Sequence, residues 1–208
     1  MKKNPRIRFA LALIAPLAAT ASAGAPESYV LKQVTTSPDG KEVAQTTLVV
    51  APGRMRMERT GTGSGSSMPP MVVVTRKDTG VAWILFPRTR RYMEMSTDDP
   101  QLGRLQQGMT ENRKVESLGK ESILGQDCEK KRVSNRIVVG KRTVETGNTI
   151  WECEGFEQPL KIVGNAGAVT ETVELTPGPQ PDALFEIPEG FQKVSNMMEG
   201  WRGRPLER

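Results

Sequence analysis

Two cysteines, three methionine pairs and one serine–lysine spacing are the parts of this 208-residue sequence that could carry chemistry, and no histidine accompanies them. Without an imidazole the chain builds no Ser-His-Asp triad, no Cys-His dyad and no His-ligated zinc site. Carboxylates and lysine remain available to an enzyme. Ser117-Leu118-Gly119-Lys120 fits S-x-x-K, but that chemistry needs serine at a helix start so that lysine returns one turn later. The local pattern is a strand, which points residues i and i+3 to opposite faces. We read the spacing as coincidental and expect a protein that is not an enzyme and carries no cofactor.

Cys128 and Cys153 have a geometric reading. Gly140-Lys141 suits a two-residue type II′ turn, and a hairpin folded there pairs residues whose numbers sum to 281, as 128 and 153 do. Counting outward from the hydrogen-bonded pair Val139 and Arg142 puts the cysteines in a non-hydrogen-bonded pair. Such pairs have a Cα separation of about 4.5 Å, which a disulfide accepts. The C-x-x-C spacing of a reactive thiol pair is absent. The expectation is a structural disulfide.

Met55-x-Met57, Met93-x-Met95 and Met68-x-x-Met71 resemble the thioether arrays that hold copper(I). In a strand, M-x-M places both sulfurs on one face, which suits an adaptable apolar wall equally well. With no histidine or free cysteine to support a metal, we read them as apolar lining and expect no metal.

These residues sit in short alternating segments separated by turn chemistry. Strands are predicted at Tyr29 to Thr36, Glu42 to Ala51, Arg54 to Arg59, Met71 to Arg76, Gly80 to Phe86 and Arg91 to Met95. Further strands are predicted at Arg113 to Gly119, Asp127 to Val139, Arg142 to Cys153, Pro159 to Gly164 and Ala168 to Thr176. Gly61 to Pro70 has loop composition. Pro87 to Arg90 reads as a four-residue hairpin loop, placing Phe86 opposite Arg91, Leu85 opposite Tyr92, Ile84 opposite Met93 and Ala82 opposite Met95. Both faces of that hairpin are apolar, so it should be covered on both sides. The one helix signal is Asp99-Pro100, an N-cap acid before proline, followed by Leu102, Leu105 and Met109 at helical spacing. About eleven strands with a short lid helix favour a closed or nearly closed antiparallel barrel.

Lys2, Lys3, Arg6 and Arg8 precede the apolar run Phe9 to Ala19 and an Ala21-Ser22-Ala23 site, which together read as a secretory signal, residues 1–23. The expected mature chain is soluble, periplasmic and not self-anchored. Without the signal the 29 basic residues fall by 4 to 25 against 24 acidic ones, a net charge of about +1. That balance, with signs interleaved, argues against nucleic-acid binding. One domain over residues 24–195 is expected, with residues 196–208 as a weakly patterned, mobile tail.

The order of "RKDTGVAWILFPRTRRYMEM", "LGKESILGQDCEKKRV", a strand containing Trp151, "QPLKI" and "PDALFEIPEGFQKV" resembles an uncharacterised secreted domain family of the LolA-like superfamily. That superfamily includes carriers of bacterial outer-membrane lipoproteins and a sensor of periplasmic stress. The resemblance covers roughly Tyr29 to Val194 and implies a mostly β fold, a half-open antiparallel β-barrel whose mouth is plugged by short helices around an apolar cavity. The cysteine pair is not part of the family pattern. The expected function is a soluble periplasmic binding protein for a lipid, an acylated protein or another apolar molecule. Met55, Met57, Trp83, Leu85, Tyr92, Met93, Met95, Leu102 and Leu105 are the candidate lining, with either face of the Trp83 hairpin able to be internal. The alternatives are a protein-interaction or envelope-stress sensor module with an envelope protein partner, and a carboxylate-based enzyme.

Overall fold

The computed structural model describes residues 25–62, 69–99, 113–139 and 142–202. The expected signal segment, Met68, the lid helix with Leu102 and Leu105, and the Gly140-Lys141 turn lie outside these residues.

Twelve strands form a single sheet. They are β1 (Tyr29–Thr36), β2 (Glu42–Ala51), β3 (Arg54–Gly61), β4 (Met71–Arg76), β5 (Val81–Phe86), β6 (Arg91–Ser96), β7 (Arg113–Ile123), β8 (Gln126–Val139), β9 (Arg142–Cys153), β10 (Lys161–Gly164), β11 (Val169–Pro177) and β12 (Gln192–Val194). Their order across the sheet is β12-β6-β5-β4-β3-β2-β1-β11-β10-β9-β8-β7. The two edges, β12 and β7, do not pair, so the sheet stays open as a half-barrel. All neighbours are antiparallel except β12, which lies parallel to β6. Nine of the eleven junctions join strands consecutive in sequence, and only β1–β11 and β12–β6 are long-range; Gly40 and Gly53 supply the positive φ, 80° and 69°, that the first two turns require.

The two faces of β1 to β6 are closed by different parts of the chain. On the first face Tyr29 and Leu31 oppose Val50 and Leu48, which oppose Met55 and Met57. These residues join Trp151, Leu160, Ile123 and the two cysteines in one core, with Phe156 packed against it. Tyr29 meets the Phe156 ring at 5.1 Å, and its hydroxyl accepts the Glu157 N–H at 3.1 Å.

The second face carries Val49, Ala51, Val72, Val74, Trp83 and Leu85, and it is sealed by Phe185, with Leu184, Ile187 and Phe191 packed alongside. A 3-10 turn, Asp182–Phe185, drops the Phe185 ring onto this face, where it is wholly buried. Burial of such a ring stabilises by about 2 to 3 kcal/mol. Arginines of β3 and β4 hold the segment down: Arg56 donates to the Leu184 carbonyl at 3.2 Å, Arg54 stacks 4.9 Å from the Phe185 ring centroid, and Arg76 donates to the Phe185 carbonyl at 3.5 Å.

The chain then crosses the sheet edge. β12 pairs with β6, and the helix α1 (Met197–Arg202) returns on the first face, against Phe86. The region expected as a mobile tail thus includes a docked helix. Gly200 allows the contact, since a Cβ there would stand 2.2 Å from the Phe86 ring. Thr89 Oγ1 donates to the Gly200 carbonyl at 2.6 Å and Arg91 Nη1 to the Glu199 carbonyl at 2.7 Å.

Candidate functional site

The nine candidate residues divide by strand register. Met55, Met57, Met93 and Met95 share the first face, because Met57 opposes Val73, Val73 opposes Ile84 and Ile84 opposes Met93. One step along, Met55 opposes Thr75, Thr75 opposes Ala82 and Ala82 opposes Met95. Side chains directly opposite on neighbouring strands lie on one face, so these are two parallel rows across four strands, all eight residues half-buried. Val73, Ile84, Thr75 and Ala82 complete the rows and were not among the candidates, although the predicted hairpin register already placed Ile84 beside Met93 and Ala82 beside Met95.

Trp83, Leu85 and Tyr92 point to the other face, within the core that Phe185 seals. Trp83 is 9% and Leu85 1% exposed. Tyr92 packs partly buried beside them. Alternation along β5 and β6 forces this separation: a face that takes Met93 and Met95 cannot take Tyr92. The Trp83 indole finds its partner across the strand, donating to Glu94 Oε2 at 3.0 Å. Lys193 also reaches Glu94, at 2.7 Å, and with the indole it holds that carboxyl below the usual glutamate range. Leu102 and Leu105 fall outside the described residues.

The cysteines are joined, with Cα atoms 4.0 Å apart and Cys128 opposite Cys153 in the register, as the sum of 281 requires. They form the inner wall of a cleft of about 910 Å³ at the ends of β7, β8 and β9. Phe156 and Pro159 supply further apolar wall, and Lys131, Glu129 and Glu152 line the cleft with charge. Lys131 bridges Glu152 at 2.8 Å and Glu129 at 3.0 Å, so its ammonium is held above its usual range, first by Glu152 and then by Glu129. The same lysine, with Ser117, holds the Glu129 carboxyl low. The three groups form one ion-paired cluster on the cleft wall. Sequence reasoning had no signal for this cleft, which depends on where the β9–β10 connection turns.

Ser117 and Lys120 stand on either side of a register shift in β7, at an exposed sheet edge where Gly119 takes φ 101°. Ser117 stands on a strand, so the pair is not the helical S-x-x-K arrangement. Among the described residues no cluster of three carboxylate or cysteine ligands could hold a metal ion. No described helix is long and apolar enough to cross a membrane.

Comparison with known proteins bears on the fold. No curated protein matches the chain. Among solved structures, PNGF-II is similar at 10% identity with a TM-score of 0.50, over 82% of this chain and 31% of that one. The chain therefore spans about a third of the length of PNGF-II. MucB is similar at 14% identity and a TM-score of 0.44, over 76% of this chain and 56% of that one. The Mycobacterium tuberculosis lipoprotein LppX is similar at 16% identity and a TM-score of 0.33, over 73% and 84%. A family described as "Domain of unknown function (DUF4412)" matches residues 30–148, more than half of the sequence, and the chain belongs to it.

Proposed function

We propose that this is an exported binding protein that holds an apolar ligand, a lipid or an acyl chain, against the methionine face of its half-open sheet. The observation that carries the reading is the pair of rows Met57-Val73-Ile84-Met93 and Met55-Thr75-Ala82-Met95, eight uncharged side chains in register on one face. Thioethers are flexible and polarisable, which suits a wall that must adapt to an alkyl chain. The opposite face is closed by Phe185, whereas on this one Met55 and Met57 pack against the Trp151 core and all eight side chains stay half-buried, in part open to a ligand. The disulfide supports an oxidising compartment.

Purification without detergent followed by native mass spectrometry tests the reading. The expected result is a co-purified lipid or acyl chain with the wild-type protein, lost in a folded Met57→Glu, Met93→Glu variant. Equal recovery from both proteins, or none from either, overturns it.

A second reading, a protein-interaction module, is favoured by the β7 edge. Every residue from Arg113 to Ser122 is exposed there, with Val115 at 49% and Leu118 at 38%. An open edge of this length is a template for an extended partner segment. Binding of an envelope protein that Val115→Lys abolishes, with lipid content unchanged, would select it.

A further inference from the structure

We infer that the ligand of the methionine face is an anionic amphiphile, an apolar tail bearing a carboxylate or phosphate head, an inference that rests on the apolar-ligand reading above. Two residues along each strand beyond the two uncharged rows, the same face presents a third row of different chemistry. Arg59 opposes Met71, and Phe86 opposes Arg91. Met71 shares its face with Val73, and Phe86 shares its face with Ile84, by strand alternation. The row therefore reads Arg59-Met71-Phe86-Arg91, with a guanidinium at each end. Three strand spacings separate the two arginines, roughly 14 Å.

The covering helix places an aromatic wall where the apolar rows meet the basic one. Trp201 lies edge-on to Phe86, with ring centroids 6.0 Å apart at 85°, and stays 40% exposed. Arg91 is half-buried and fixed in place by its bond to the Glu199 carbonyl. Arg88 and Arg90 project from the adjacent hairpin tip, both exposed. None of the twelve residues in the three rows is acidic. The Glu199 carboxylate on the covering helix is turned to Ser195, accepting from its N–H and its hydroxyl, each at 3.1 Å. Along the strands the face thus passes from thioether and alkyl through aromatic to guanidinium, the polarity order of an acidic amphiphile. Arginine is suited to the head because its fork of donors meets carboxylate or phosphate oxygens two at a time.

The test uses the full mature protein and a neutral apolar dye, N-phenyl-1-naphthylamine, displaced by four competitors with one chain length: dodecanoic acid, dodecyl phosphate, dodecanol and dodecyltrimethylammonium. Dodecanoic acid or dodecyl phosphate should displace the dye at a concentration at least tenfold below that of dodecanol, and the ammonium compound should be weakest. Whichever acid is stronger identifies the head as carboxylate or phosphate. Arg59→Gln with Arg91→Gln should erase the advantage while the dye still binds. Because Arg91 also holds the helix, Arg59→Gln alone, at an exposed position, should reduce the advantage at least threefold with an unchanged melting temperature. Dye binding with no preference among competitors, or a preference that survives both variants, overturns the anionic assignment and leaves the apolar groove standing. Failure of the dye and of every competitor to bind overturns the groove as well.

Discussion

Trp83 and Glu94 face each other across β5 and β6, and the indole N–H donates to the carboxylate at 3.0 Å. The bond lies at the boundary between a buried ring and an exposed acid. It closes the outer margin of the second core and satisfies the one polar atom that burying a tryptophan leaves over.

A pH dependence follows. The Glu94 carboxyl is held below its usual value of 4.5, chiefly by Lys193 and then by Trp83. A depressed folded pKa contributes stability that is present above the unfolded value and is lost as pH falls through the folded one. The melting temperature should therefore decline from about pH 4.5 downward, and Glu94→Gln should flatten part of that decline. Thermal scans from pH 3 to 7 on both proteins measure it, and superimposable curves would refute the assignment.

The tip and flanks of the β5–β6 hairpin should respond in opposite ways. Arg88→Ser is expected to change stability by less than about 1 kcal/mol, as exposed charges do. Trp83→Ala removes a ring that is 9% exposed and should cost about 3 to 5 kcal/mol or prevent folding. Urea denaturation compares them.

Arg90 occupies the left-handed region at φ 49°, uncommon for a residue with a Cβ. Arg90→Gly relieves that cost, roughly 1 kcal/mol, so the variant should be as stable as wild type or more so. A clear loss in the same urea series would mean that the arginine side chain itself holds the tip.

Reduction should loosen the second arm of the sheet. Cross-linking residues 128 and 153, 25 apart in sequence, stabilises by about 3.5 kcal/mol in the chain-entropy model. Cys128→Ser with Cys153→Ser should lose most of that, and the unfolded, unreduced wild type should show no free thiol on titration.

Gly200 sets the position of α1. Gly200→Val would drive its side chain into Phe86, so the helix should detach while the sheet persists. Limited proteolysis should then cut after residue 195 at least tenfold faster than in wild type, and an unchanged cleavage rate would show that the helix docks without this contact.

Much of this architecture was legible in the residues. The four pairs predicted for the β5–β6 hairpin, from Phe86 opposite Arg91 to Ala82 opposite Met95, are the observed ones, because a short loop with a proline at its start leaves little freedom in register. The cysteine pairing was legible for the same reason. The face of Trp83 was not. Val81, Trp83 and Leu85 alternate with Ala82, Ile84 and Phe86, so both sides of the strand are apolar and hydrophobic pattern cannot say which is inside. The answer came from Phe185, a hundred residues away in sequence. β12 was missed because three residues, Gln192 to Val194, are too few for a periodicity to show. The docking of α1 was missed because it depends on a glycine fitting a phenylalanine ring, a long-range fit with no local signature.

The C-terminal segment fixes when the molecule can be finished. Residues 184–201 seal Trp83 on one side, pair with β6 at the rim and cap Phe86 on the other, and these contacts span about a hundred residues, as Arg91 to Glu199 does at 108. A chain emerging with its N-terminus first, from a ribosome or a translocation channel, completes β1 to β6 long before the residues that close them exist outside. Until then the sheet carries two apolar faces and an unpaired β6, the species most open to self-association. The segment acts as the closing element of the fold, and a chain cut short at residue 180 would present a nearly complete sheet that can never close.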